Sequence, residues 1–223
     1  FNWTEGTNLY AVKFASARGS ELWRAEIDGG IGGNDLVLGF SVAPNGDAVL
    51  GGEFYAAATG KDLAAVRLAG SDGAERWRYV ADGGGYADED GFHVSVDPAG
   101  NVILAGTLTF PSESLYRMAV VKLDGTTGGE VWLHAATHGI AQRVVADANG
   151  DVIYGGDAAF EGLLVEKLAG DDGTSLWRTV TAGRFPWDLS VDAAGNVVYA
   201  AEVGADALDF GDKGATVYVN FGA

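Results

Sequence analysis

The sequence predicts an all-β chain, a β-propeller built from four-stranded antiparallel blades. Three observations carry this. One strand–turn–strand segment occurs four times, a second segment ending in Trp also occurs four times, and the two alternate along the chain. The recurrent Trp23, Trp77, Trp132 and Trp177 stand 54, 55 and 45 residues apart, the length of a propeller blade. No helical period of useful length interrupts them.

Residues 92–133 hold the clearest unit, FHVSVDPAGNVILAGTLTFPSESLYRMAVVKLDGTTGGEVWL. HVSV and NVILAG read as its first two strands, joined by the turn DPAGN; MAVVKL and EVWL read as its third and fourth, joined by DGTTGG. Alternation such as Val94-Ser95-Val96, with β-branched enrichment in Val102-Ile103-Leu104, is strand chemistry. The first half recurs at 40–52, 94–106, 144–156 and 189–201. The second half recurs at 10–24, 64–78, 119–133 and 164–178, and residues 215–221 look like the start of a further copy.

Gly46, Gly100, Gly150 and Gly195 fall where the hairpin turn needs a positive φ. Asp97, Asp147 and Asp192 open three of those turns, where a carboxylate accepts backbone N–H bonds from residues further on. One large aromatic per repeat at a fixed register is suited to docking one sheet on the next. The pattern divides the single domain 1–223 into a half blade (1–39), blades at 40–91, 92–140 and 141–186, and a partial blade (187–223). This makes four to five blades. The half-units at the two ends admit two arrangements. Either they pair to close a four-bladed ring, with residues 215–221 competing against 10–14 for one place, or the chain is an arc of a larger propeller whose open edges are covered. The arc is the favoured expectation.

Composition narrows the partners. There are 31 acidic residues against 14 basic ones, a formal charge of −17. Such a field repels phosphates and anionic lipid, so nucleic acid is not an expected partner. No apolar run is long enough for a membrane-spanning helix. With no Cys, disulfides, thiolate catalysis and Cys-based metal sites are all excluded. The 35 glycines sit at turns.

On the residues GNDLVLGFSVAPNGDAVLGG and DEDGFHVSVDPAGNVILAG, the chain resembles the bacterial SBBP β-propeller repeat. Ala207-Leu208-Asp209-Phe210-Gly211 looks like that repeat's link to its third strand. VVKLDGTTGGEVW and EKLAGDDGTSLW resemble the Trp-docking motif of quinoprotein-like (PQQ-like) propellers. Together these likenesses cover nearly the whole chain. They imply the propeller fold and an extracellular, cell-surface or periplasmic setting, and they leave activity open. Quinoprotein enzymes commonly carry eight blades and a vicinal cysteine pair, features not found in these residues.

Propeller function sits in rim loops or at the central channel, since the strands are committed to packing. Two loops that lead into a first strand are acidic and glycine-rich, and they offer Asp28 and Asp35, and Asp82, Asp88 and Asp90. Flexibly linked carboxylates suit a hard cation such as calcium, although turn chemistry alone also accounts for them. His93, His134 and His138 lack zinc-site spacing, and no nucleophile motif is present. The loops between second and third strands vary most and carry Phe54, Tyr55, Phe110 and Phe160, read as exposed. The expected function is non-catalytic: binding or scaffolding a protein partner, with no cofactor unless calcium. The alternatives are a lectin-like carbohydrate binder and, less favoured, a quinoprotein-type oxidoreductase.

Overall fold

The computed structural model describes residues 6–30, 33–84, 89–111, 113, 115–159, 161–181, 183–202 and 219–221. All of its regular structure is β. Strands β1 (Leu9–Phe14) and β2 (Glu21–Ile27) form a half blade. Three full blades follow. The first comprises β3 (Leu36–Val42), β4 (Ala48–Ala56), β5 (Gly60–Leu68) and β6 (Glu75–Ala81). The second comprises β7 (Gly91–Val96), β8 (Val102–Leu108), β9 (Arg117–Leu123) and β10 (Glu130–His134). The third comprises β11 (Gly139–Ala146), β12 (Val152–Ala158), β13 (Gly162–Leu168) and β14 (Ser175–Thr181). A last blade holds β15 (Arg184–Val191), β16 (Val197–Glu202) and β17 (Val219–Phe221). Each sheet is an antiparallel meander in chain order.

The hydrophobic core is divided among the interfaces between neighbouring blades. The two middle strands of a blade are buried on both faces, so successive residues feed different cores. Leu50 packs toward the half blade while Val49 packs toward the second blade. Leu104 and Ile103, then Tyr154 and Ile153, repeat this split one and two blades later. This is why NVILAG and MAVVKL read as nearly unbroken apolar runs. Each first strand of the full blades carries a register shift, at Val37/Gly39, Gly91/His93 and Ala141/Arg143. Such a bulge bends the strand locally.

The first-to-second-strand turns share one geometry. Gly46, Gly100, Gly150 and Gly195 have φ of 85–90°, a left-handed conformation that costs any other L residue about 1–2 kcal/mol. In three of the turns the opening carboxylate organises the backbone. Asp97 Oδ1 accepts Asn101 N–H at 2.8 Å, Asp147 Oδ1 accepts Asn149 N–H at 2.8 Å, and Asp192 Oδ1 accepts Ala194 N–H at 2.8 Å. The first full blade has Ala43 in that place, and its carboxylate stands at the far end of the turn as Asp47.

Among the described residues, the two ends do not pair with each other. β16 uses its second edge on β17, with Val197 opposite Phe221, and the two-stranded sheet β1–β2 stays separate. Residues 219–221 thus occupy the third-strand place of the last blade. Among the described residues, the edge of β1 to which a second strand would add pairs with nothing.

Candidate functional site

Adjacent blades are joined by a repeated polar clamp. Trp23 Nε1–H donates to Gly70 O at 3.0 Å, Trp77 Nε1–H to Gly125 O at 3.0 Å, and Trp132 Nε1–H to Gly170 O at 3.2 Å. Each carbonyl belongs to the next blade and accepts a second bond from a basic side chain ten residues before the Trp. Lys13 Nζ reaches Gly70 O at 2.6 Å, an Arg67 N–H reaches Gly125 O at 2.8 Å, and Lys122 Nζ reaches Gly170 O at 2.7 Å. Arg67 and Lys122 also pair with carboxylates of their own blade, Asp47 at 3.0 Å and Asp97 at 2.9 Å, and in the third full blade Lys167, again ten residues before its Trp, pairs with Asp147 at 2.8 Å. In the first full blade both partners change together, to the longer Arg67 and the displaced Asp47. Trp177 packs partly buried against the core between the third full blade and the last one.

Two glycine positions make the clamp possible. A Cβ on Gly70, Gly125 or Gly170 would stand about 2 Å from the carbonyl oxygen of Gly46, Gly100 or Gly150. A Cβ on Gly128 would stand 2.7 Å from the Trp77 ring. Burial works against the charged forms of Asp97 and Asp147. Hydrogen bonds, led by Asn101 and Lys122 for Asp97 and by Lys167 for Asp147, outweigh it and hold both below the usual carboxylate range. The basic residue went unread in the sequence, although its fixed ten-residue spacing to each Trp was available there.

The carboxylates expected to bind calcium divide differently from their sequence grouping. Asp35 is buried and spends its two oxygens on Gly29 N–H and Tyr55 N–H, at 2.7 and 3.0 Å. Asp28 Oδ1 accepts Gly30 N–H at 2.9 Å. Asp90 lies 4.0 Å from Lys61, and Asp88 is outside the described residues. Asp82 is instead brought together with Asp62 and Glu89, one carboxylate oxygen of each lying within 4.8 Å of the others. Asp62 begins the inner part of β5, Asp82 directly follows β6, and Glu89 N–H donates to Lys61 O at 2.7 Å, which fixes it beside β5.

The remaining candidates fall elsewhere. His138 lies 3.1 Å from Glu113, which Arg117 also binds at 2.7 Å. His134 approaches Glu166 at 3.7 Å across a blade interface. Burial raises the Glu166 carboxyl, but bonds from His134, Ser175 and Tyr154 outweigh it and bring it to about 2. His93 is half-buried, and burial lowers its pKa. Phe54, read as an exposed loop aromatic, is a core residue: β4 extends to Ala56, and Phe54 is buried with the Arg78 guanidinium 5.4 Å above its ring. Phe110 packs partly buried against the core, and Phe160 lies outside the described residues.

The second notable region is apolar and uncovered. By strand register, Phe14 occupies the place of Leu68, Leu123 and Leu168, all fully buried, yet Phe14 is 60% exposed. Tyr10, 55% exposed, matches the buried Ala64, Ala119 and Leu164. Phe40, 58% exposed, matches the buried Val94, Val144 and Leu189. Between the half blade and the first full blade, Tyr10 and Phe40 border a groove of about 440 Å³, lined also by Val12, Trp23, Val42 and Leu50.

Blades, interface cores and the Trp clamp define an arc of a β-propeller. Solved structures of this fold include BamB from Moraxella catarrhalis (17% identity, TM-score 0.55, 89% of this chain and 51% of that one). The quinohemoprotein alcohol dehydrogenase from Comamonas testosteroni is similar as well (12%, 0.58, 89% and 40%), as is the Dos1 propeller (9%, 0.59, 86% and 48%). The chain thus spans about half the length of these structures, and the likeness is one of fold. No protein-family profile and no curated protein sequence matches it.

Proposed function

We propose that the chain is a non-catalytic, protein-binding propeller scaffold acting outside the cytoplasm, and that its contact face is the β1 edge with the adjoining face of the first full blade. The supporting observation is the exposure of Tyr10 and Phe40, which border one groove, at positions whose register equivalents in the other described strands are buried. A contiguous apolar surface beside an unpaired strand edge marks an interaction site. The occupant is a β-hairpin of another polypeptide segment that supplies the first and second strands of the half blade. Its outer strand adds to β1 by main-chain hydrogen bonds, and its side chains cover Phe40 and Val42. The formal charge of −17 favours a partner with a basic rim.

The test is native purification from the source, followed by sizing with mass detection. A companion polypeptide at fixed stoichiometry, lost on Phe40→Asp, is expected. A lone 23 kDa species that binds no hydrophobic dye, and whose behaviour Phe40→Asp leaves unchanged, would overturn the proposal.

A further inference from the structure

The acidic cluster at the outer end of the first full blade has a feature that turn chemistry does not explain. Asp82 has an ordinary role, since its Oδ1 accepts Gly84 N–H at 2.7 Å. Asp62 and Glu89 do not. Asp62 is 4% exposed; its Oδ2 accepts the Thr59 hydroxyl at 2.9 Å, and its Oδ1 is buried without a hydrogen-bond partner. Glu89 is fully buried; its Oε1 is approached by Thr109 N–H at 3.4 Å, a further backbone bond comes from Gly83, and its Oε2 is buried without a partner. A buried carboxylate oxygen with nothing bound to it is costly, and native proteins rarely leave one so. Here two such oxygens belong to side chains that converge, with Asp82, within 4.8 Å.

Among the described residues, such a cluster occurs in this blade alone. By register with the Trp-paired bases, Asp62 corresponds to Arg117 in the second full blade and Gly162 in the third. At that place the second blade neutralises its own charge, Arg117 binding Glu113 at 2.7 Å. The fold at Asp62 therefore does not require a carboxylate. Gly83 carries the loop across Glu89: a Cβ there would stand 2.0 Å from Thr109 O and 2.9 Å from Glu89 Oε1. Asp62 and Glu89 are thus held in low-dielectric surroundings, while Asp82 is exposed to solvent.

We infer that Asp62, Asp82 and Glu89 form a calcium site joining β5, the end of β6 and the loop to β7. The donors are all oxygen, which suits a hard cation; calcium takes six to eight oxygens, with backbone carbonyls and water completing the shell. Burial, reinforced by the neighbouring charges of Asp82 and Asp62, pushes Glu89 up to about 7 against its two backbone bonds.

The test is a thermal melt and a calorimetric titration of the full chain, stripped with EDTA and returned to CaCl₂ at pH 7.5. The expected result is a melting temperature raised by several degrees, with heat saturating at one equivalent. Glu89→Gln and Asp62→Asn each abolish both responses. Without metal, these variants melt at or above the wild type, because each removes a buried, unpartnered charge. Asp28→Asn, in the other acidic loop, keeps the calcium response. No calcium-dependent shift or heat in the wild type overturns the site, as does a shift that persists in both Glu89→Gln and Asp62→Asn.

Discussion

Replacing Lys122 by Met probes the inter-blade clamp at its most buried point. The side chains of Lys122 and Asp97 are 7% and 2% exposed. Met keeps the stem's volume but removes the 2.9 Å ion pair to Asp97 and the 2.7 Å bond to Gly170 O. Removing one partner of a buried pair leaves the other charge uncompensated, which costs about 3–5 kcal/mol. Gly170 O retains Trp132 Nε1–H at 3.2 Å, and Asp97 retains two bonds from Asn101, so the lower end, about 3 kcal/mol, is expected. At ~2–4 °C per kcal/mol for a chain of this size, the melting temperature falls by about 6–12 °C. The assay is urea unfolding followed by Trp fluorescence, with Lys122→Met/Asp97→Asn as the companion variant. The double variant is expected to be more stable than the single one, since it no longer buries an unpaired carboxylate. A single variant within ~0.5 kcal/mol of wild type, the usual range for surface substitutions, would refute the clamp. A double variant losing the sum of both separate effects would refute it equally.

Other consequences follow from the same geometry. Gly100→Ala and Gly128→Ala both force alanine into positive φ, 90° and 73°. A Cβ at Gly100 meets nothing within 4 Å, whereas at Gly128 it meets the Trp77 ring at 2.7 Å. Gly100→Ala is expected to cost about 1 kcal/mol, and Gly128→Ala to cost clearly more and to perturb Trp77 fluorescence. Equal losses would contradict the docking geometry. Asp47, Asp97 and Asp147 are all held below the usual carboxylate range, burial being outweighed by their hydrogen bonds and basic partners. A depressed folded pKa gives stability that is present above the unfolded value, near 3.9, and lost as pH falls through the folded one. Melting temperatures should therefore drop steeply below about pH 4, and Asp97→Asn should flatten that drop. An unchanged acid limb in Asp97→Asn would count against this assignment.

The repeat made the fold legible, because each copy writes the same strands, positive-φ turn and Trp. The burial of the middle strands on both faces, one against each neighbouring blade, is a finding of the structure. What stayed hidden depended on convergence across blades. The bases Lys13, Arg67, Lys122 and Lys167 look like solvent-facing positions of alternating strands until their partners in the neighbouring turns are placed. Phe54 was misassigned because the end of β4 resembles loop sequence. The acidic loop pointed toward Asp82. Asp62, twenty residues earlier, joins it only because the start of β5 lies beside the end of β6, with Leu63 opposite Ala81.

The central claim is that β1 is an edge awaiting a strand. Its most direct test is residue-resolved hydrogen exchange on the isolated, monomeric chain, comparing β1 with its register equivalents β5, β9 and β13. Those three strands pair on both sides. The amides of β1 that face away from β2 are expected to exchange orders of magnitude faster than those of Val66, Val121 and Glu166, and to become protected when the partner binds. Protection of all β1 amides equal to that of β5, β9 and β13 in the isolated monomer would contradict the claim.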